Sequence, residues 1–193
     1  LLIAGGGFIP FAMPIRSFVE AARGTSCKVF GCFEALRPTL DEDVMQALAA
    51  RYWEAGVDGL YFFNYYSMSG EWKRDFLARL ADPARLAQAN KQYKVDNGIV
   101  GPNSQLDFSF ANAIPRVQLP ASIAATPGGR GFMLQIDIAD DIAAAAAEGA
   151  LGPCTLGLGF EELPDDCELF IGINDDEIPS AGVAPAAAAA RAP

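Results

Sequence analysis

The sequence predicts an α/β part followed by an all-β part: the last three βα units of a (β/α)8 barrel, then a small antiparallel β-sandwich. Two observations carry this. Apolar strand-like runs alternate with helix-like segments over residues 1–97, at a spacing of roughly 28–30 residues that suits right-handed crossovers. From Arg116 the hydrophobic period changes to two, with turn residues between the runs. The expected boundaries are 1–97 for the βα units, 98–115 for a polar connector, 116–179 for the sandwich and 180–193 for an Ala/Pro-rich tail.

The βα units are taken in chain order. Leu1–Ala4 is a short apolar run that ends in Gly5-Gly6-Gly7. Pro14 opens a helix to Arg23 with Phe18, Val19 and Ala22 on one face, and Gly24 closes it. Lys28–Ala35 reads as the next strand. Thr39 followed by Glu42 has the form of a capping box, and the helix it starts runs from Leu40 to about Ala55. Val44, Leu48 and Tyr52 form its apolar stripe, and Gly56 suits the left-handed residue after its end. Val57–Asn64 is apolar on both faces, as in a parallel strand covered on both sides. Glu71–Leu80 is a further helix, and Asp82-Pro83 opens another to about Tyr93.

Three parallel strands cannot close a core, and a full barrel takes about 250 residues. The expectation is therefore a fragment whose N-terminal part is missing. The rival reading is the end of a doubly wound open sheet.

In the second part Val117–Ala124, Phe132–Ile138, Thr155–Phe160 and Glu168–Ile173 read as strands. Phe132, Leu134, Ile136 and Ile138 alternate with Met133, Gln135, Asp137 and Ala139. Turn signals stand at Pro127-Gly128-Gly129, Pro164-Asp165-Asp166 and Asn174-Asp175-Asp176. Ala143–Ala147 fits either a short helix or a connector.

Composition narrows the function. The 193 residues are 51% hydrophobic, which is rich enough in core formers to exclude global disorder. Lys and Arg number 14 and Asp and Glu 24, giving a net charge of −10 that disfavours nucleic acid and anionic membranes as partners. No apolar run approaches the ~20 residues that span a bilayer. The chain has no histidine, so His triads, His metal sites and imidazole acid–base chemistry are excluded. Cys27, Cys32, Cys154 and Cys167 show no CxxC spacing and read as small hydrophobes, with a Cys154–Cys167 bridge left open. No cofactor is implied, and the compartment stays open.

A (β/α) barrel builds its site at the carboxyl ends of its strands. That rule selects Gly5–Phe11, Cys32–Pro38 and Asn64–Gly70. Glu34 ends the middle strand and Arg37 follows it. Glu34 is either solvated on a loop or set in a cleft. Asn64, Tyr65, Tyr66 and Ser67 offer a directed amide and aromatic faces, which suit a sugar. Tyr65 and Tyr66 equally suit packing between strand and helix. Gly5–Gly7 reads better as a close-packed turn than as a phosphate cradle, because no Lys, Ser or Thr stands beside it. Asp41, Glu42 and Asp43 fit a first helical turn. Asp140-Asp141 and Asp175-Asp176-Glu177 read as solvated turns in preference to calcium loops.

Residues 50–64, ARYWEAGVDGLYFFN, resemble the last helix–strand step of glycoside-hydrolase-like (β/α)8 barrels of bacterial proteins, where a YW-x-AG-x-DG-x-Y-x-FN pattern leads into the eighth strand. The second part is similar only in architecture to the accessory sandwich such proteins carry. The resemblance implies a carbohydrate substrate and places Glu34 as the nucleophile ending strand seven. Asn64, Tyr66 and Arg37 would contact substrate. The acid/base partner would end strand four, which this chain lacks, so the fragment alone is not expected to hydrolyse. The alternative is a non-catalytic carbohydrate-binding or interaction module.

Overall fold

The computed structural model describes residues 1–5, 11, 13–34, 41–63, 72–95, 132–160, 170–174 and 176–177, without the side chains of Glu34, Trp72, Lys73, Asp176 and Glu177. They fall into two compact units: residues 1–123 with 130–150, and residues 124–129 with 151–193.

The first unit is built on a parallel sheet of β1 (Leu2–Gly5), β2 (Val29–Glu34) and β3 (Gly59–Phe63), in the order β1-β2-β3. Leu2 pairs with Val29, and Phe30 with Gly59, so the strands follow one another in chain order. The crossovers are α1 (Ile15–Ala22) and α2 (Glu42–Ala55), followed after β3 by α3 (Trp72–Leu80) and α4 (Pro83–Ala87). Among the described residues of 1–97, the strands and helices follow the expected βα order and the strands run parallel.

Side-chain alternation divides the sheet into two faces. Leu2, Ala4, Val29, Gly31, Phe33, Leu60 and Phe62 share the face that packs against the helices. Phe33 stacks on Phe62 at 4.9 Å and meets Tyr52 edge-on at 5.4 Å. Val44, Leu48 and Tyr52, the stripe read from sequence, are all buried, and Tyr52 is 0% exposed. Its hydroxyl donates to the Cys32 carbonyl at 3.0 Å. Burial drives its phenol above the ordinary range, because ionisation there would strand a charge away from water. Ile15, Phe76, Leu80 and Leu86 complete the core from α1, α3 and α4. Trp53 closes the α2–α3 seam by donating its indole N–H to Leu80 O at 2.8 Å.

One residue pins the entry to two strands. The backbone N–H of Asp58 donates to Val29 O, and its carboxylate accepts from Val29 N at 2.9 Å and from Lys28 Nζ at 2.7 Å. The Lys28 ammonium and the Val29 N–H hold the Asp58 carboxyl below its usual range, and Asp58 in turn raises Lys28.

Three sequence expectations need correction. The first is the barrel. Among the described residues the parallel sheet has three strands, and β1 and β3 each have an edge with no described strand beside it. Closure needs every edge paired. The other face of the sheet carries Ile3 at 41%, Tyr61 at 40% and Phe63 at 47% exposure, so an apolar pattern on both faces does not here mean cover on both faces.

The second is the sandwich. Residues 132–139 and 150–160 contain no strand, and Phe132, Ile136 and Ile138 are exposed. Alternation makes a segment extended, but a strand also needs a ladder partner and a layer over its apolar face. Val117–Ala124 lies outside the described residues. Residues 142–147 form the helix α5 (Ile142–Ala147), and Asp141 caps it by accepting from Ala144 N at 2.9 Å. In the second unit the described strands are β4 (Gly172–Ile173) and β5 (Asp176–Glu177), a two-residue antiparallel pair. Asn174, between them, has φ 51°, a turn conformation that Asn tolerates.

The third is the cap of α2. Its N-cap is Asp41, whose carboxylate accepts from Val44 N at 2.8 Å, and not Thr39. Glu42 is the first helical residue, so the sequence carries two overlapping cap signatures and the carboxylate prevails. The far end matches expectation, with Gly56 left-handed at φ 88°. The helix opened by Asp82-Pro83 ends at Ala87 and does not reach Tyr93.

Candidate functional site

Parallel strands leave a sheet at one edge, and the carboxyl edge is where a βα unit gathers side chains from separate parts of the chain. Gly5 pairs with Cys32, and Glu34, the last residue of β2, pairs with Phe63, the last residue of β3. Asn64 follows Phe63 in the sequence. Glu34 is therefore the acidic residue of this rim on the described backbone. Arg37, Asn64 and Tyr66, the other residues expected to contact a ligand, lie outside the described residues, as does Tyr65.

Gly5 itself supports the packing reading over the phosphate reading. It has φ +116°, and a Cβ there would stand 3.0 Å from both Cys32 O and the Tyr52 hydroxyl. A residue that close to its neighbours needs to be glycine for packing alone. Gly6 and Gly7 lie outside the described residues.

A second polar region lies between α2, α3 and α4, in a cleft of about 370 Å³ lined by Glu42, Asp43, Gln46, Arg79, Arg85 and Gln88, among others. Gln46 is its centre and is 2% exposed. Its amide nitrogen donates to Asp43 Oδ1 at 3.3 Å and to Asn90 O at 3.0 Å, and its oxygen accepts from Arg79 at 3.1 Å. The Gln92 N–H adds a bond to Asp43 O, and Arg79 lies 3.8 Å from Glu42. A buried amide with these partners ties the helices together and has little left to offer a ligand. This seam explains Glu42 and Asp43 beyond the helix-dipole role read from sequence.

A third cluster was missed in the sequence. Lys91, with a side chain 5% exposed, pairs with Asp140 at 2.8 Å. Tyr93 donates to the other oxygen of Asp140 at 2.9 Å and accepts from Ala139 N at 3.2 Å. Burial first, and then the Asp140 carboxylate, raise the Tyr93 phenol. Arg51, the second residue of the ARYW run, pairs with Asp137 at 2.9 Å and also donates to the Phe11 carbonyl. Asp140 and Asp141 thus serve an ion pair and a helix cap. No group of acidic or thiol side chains among the described residues is arranged to hold a metal ion. Charges 49 and 86 positions apart, Lys91–Asp140 and Arg51–Asp137, leave no local periodicity, so only opposite charge in the chain could have hinted at these pairs.

Cys27, Cys32 and Cys154 form no disulfide and Cys167 lies outside the described residues; of the described cysteines Cys32 is the buried one, so the reading of the cysteines as small hydrophobes holds for it. No described helix is long and apolar enough to cross a membrane. No protein-family model matches the chain, and no curated protein matches it significantly.

Proposed function

We propose that the carboxyl edge of the β1–β2–β3 sheet binds carbohydrate. Glu34 is its acidic hydrogen-bond acceptor, Asn64 and Arg37 fix hydroxyl groups, and Tyr66 stacks on an apolar sugar face. One observation carries the reading: Glu34 and Phe63 are paired in register as the last residues of adjacent parallel strands, so the two strands end at the same edge, and Asn64 follows Phe63 in the sequence. Acid, amide and aromatic groups in that neighbourhood are the chemistry a sugar requires. Glycoside hydrolysis requires a second carboxylate within roughly 5–10 Å of the first. The sequence offers none at the other two strand ends, so the reading is binding, with Glu34 available as a nucleophile or charge stabiliser only where a second carboxylate is supplied.

The test is titration of the full chain with a panel of neutral and acidic oligosaccharides, followed by amide NMR shifts. The expected result is that a sugar moves the amides of Gly5, Cys32 and Phe63. Glu34→Gln and Asn64→Ala should each weaken binding about tenfold or more, as loss of a hydrogen bond to a charged group or to a buried hydroxyl does. A panel that moves none of these amides refutes the reading, and so does unchanged affinity in both variants.

A further inference from the structure

Residues 132–160 contribute no buried side chain. Residues 132–150 nevertheless belong to the same compact unit as the sheet. Helix α5 has no buried residue, and its cap, Asp141, is its own. Among the described residues, hydrogen bonds and ion pairs join residues 132–150 to the sheet and its helices at Asp137, Ala139 and Asp140. Arg51 holds Asp137, Lys91 and Tyr93 hold the two oxygens of Asp140, and the Ala139 N–H donates to the Tyr93 hydroxyl.

The same two partners also hold Phe11. Arg51 donates to its carbonyl through Nη1 while Nη2 holds Asp137. The Tyr93 ring meets the Phe11 ring edge-on at 6.4 Å and 65° while its hydroxyl holds residues 139 and 140. Phe11 belongs to the connection that leaves the carboxyl end of β1 and leads to α1. Two side chains, from α2 and from the segment after α4, therefore each bridge that connection to the 132–140 stretch.

We propose that residues 132–147 form a releasable strap, fastened at Asp137–Asp140, that holds Phe11 in place through Arg51 and Tyr93. A polar fastening suits release, because parting it opens no void in the apolar core, whereas withdrawing a buried side chain would. Lys91 is the deepest of the fastening charges, and loss of Asp140 leaves its ammonium with the Ala89 carbonyl, 3.1 Å away, in place of a carboxylate. Because Phe11 follows Gly5, the carboxyl end of β1, by six positions in the sequence, the strap regulates ligand access at that edge; this part rests on the carbohydrate reading above.

The test uses ¹⁵N relaxation on the full chain, in wild type, Asp140→Ala, Lys91→Met and Asp141→Ala. In the wild type the amides of Phe11, Ala139 and α5 should have order parameters near the rigid value of about 0.85. In Asp140→Ala and Lys91→Met, residues 132–147 and Phe11 should fall below about 0.6, while β2 and α2 stay rigid. Asp141→Ala should loosen α5 alone. An unchanged Phe11 in Asp140→Ala overturns the proposal, and so does loosening that spreads into β2. The affinity arm separates the two readings. If no oligosaccharide binds the wild type, the carbohydrate reading fails and the relaxation data still decide the strap. If one binds, Asp140→Ala should change its affinity about fivefold or more, and equal affinity with a loosened Phe11 overturns the regulatory role.

Discussion

Gly31→Ala is the sharpest perturbation of the core. Gly31 lies in the central strand on the helix-facing side, and the Tyr52 ring lies over it. A Cβ at this position would stand 2.3 Å from Tyr52 Cδ2 and 2.5 Å from Cγ, well inside contact distance. The ring has little room to yield, because Tyr52 is fully buried, meets Phe33 edge-on and is tied to Cys32 O. Overpacking of this kind costs about 1–3 kcal/mol. Breaking the hydroxyl bond to make room adds about 1 kcal/mol. Replacing glycine returns about 0.4–1 kcal/mol by stiffening the unfolded chain. The net expectation is a loss of about 2–3 kcal/mol. Gly59→Ala is the control. Its Cβ would meet the Phe30 ring at 2.6 Å, but Phe30 lies on the open face, where a ring can swing away, so the change should stay within about 1 kcal/mol. The assay is urea unfolding followed by tryptophan fluorescence, which reports the first unit because Trp53 and Trp72 both fall within it. Equal stabilities for Gly31→Ala and Gly59→Ala would refute this account of how α2 seats on the sheet.

Two further outcomes test the same unit. Asp41→Ala should cost about 1 kcal/mol in the same assay by removing the α2 cap, and a neutral result would move the helix start elsewhere. Tyr52 has its phenol raised above the ordinary value of 10.0, so the unfolded chain ionises first: stability is whole below pH about 10 and falls as pH rises past it, by at most about 1.4 kcal/mol per pH unit from this residue. Tyr52→Phe should show a correspondingly flatter alkaline limb in urea midpoints from pH 8 to 11, and parallel limbs would contradict the burial argument.

The parts of the fold that sequence made legible are those whose cause is local. Pro14, Asp82-Pro83 and Gly56 mark helix ends through backbone geometry, and α1, α4 and α2 start or stop at them. The Val44–Leu48–Tyr52 stripe is visible because a helix repeats every 3.6 residues, and each member is buried. What stayed hidden is what a segment pairs with. Phe132–Ile138 has the period of a strand, and it lies beside α2 through Arg51–Asp137 with no ladder of its own. Period two records the conformation of the chain and says nothing about a neighbour. The α4 region shows the same limit. Its helical pattern continues toward Tyr93, but Gln92 bonds to Asp43, and Lys91 and Tyr93 bond to Asp140, so tertiary partners replace the next helical turn. For the candidate site, what sequence made legible is only that Glu34 ends β2, because parallel topology alone sends it to the carboxyl edge.

The two ways of fastening the first unit follow from this division. The sheet and its helices are joined by apolar burial, in which Phe33, Tyr52, Leu48 and Phe62 each touch several neighbours and no single contact is decisive. Loss of one such side chain lowers the stability of the whole unit, because the core unfolds cooperatively. The 132–147 stretch is joined by a few directed polar bonds on short-range carboxylates, Asp137 and Asp140, to cations on two separate elements. On the strap proposal those bonds open locally, at a free-energy cost below that of global unfolding, and such low-cost openings are where motion and control concentrate. Apolar pattern therefore specifies where this chain is rigid. The placement of opposite charges far apart in sequence specifies where it can part, and Arg51 serves both, with its stem on the rigid helix and its guanidinium on the strap and on Phe11.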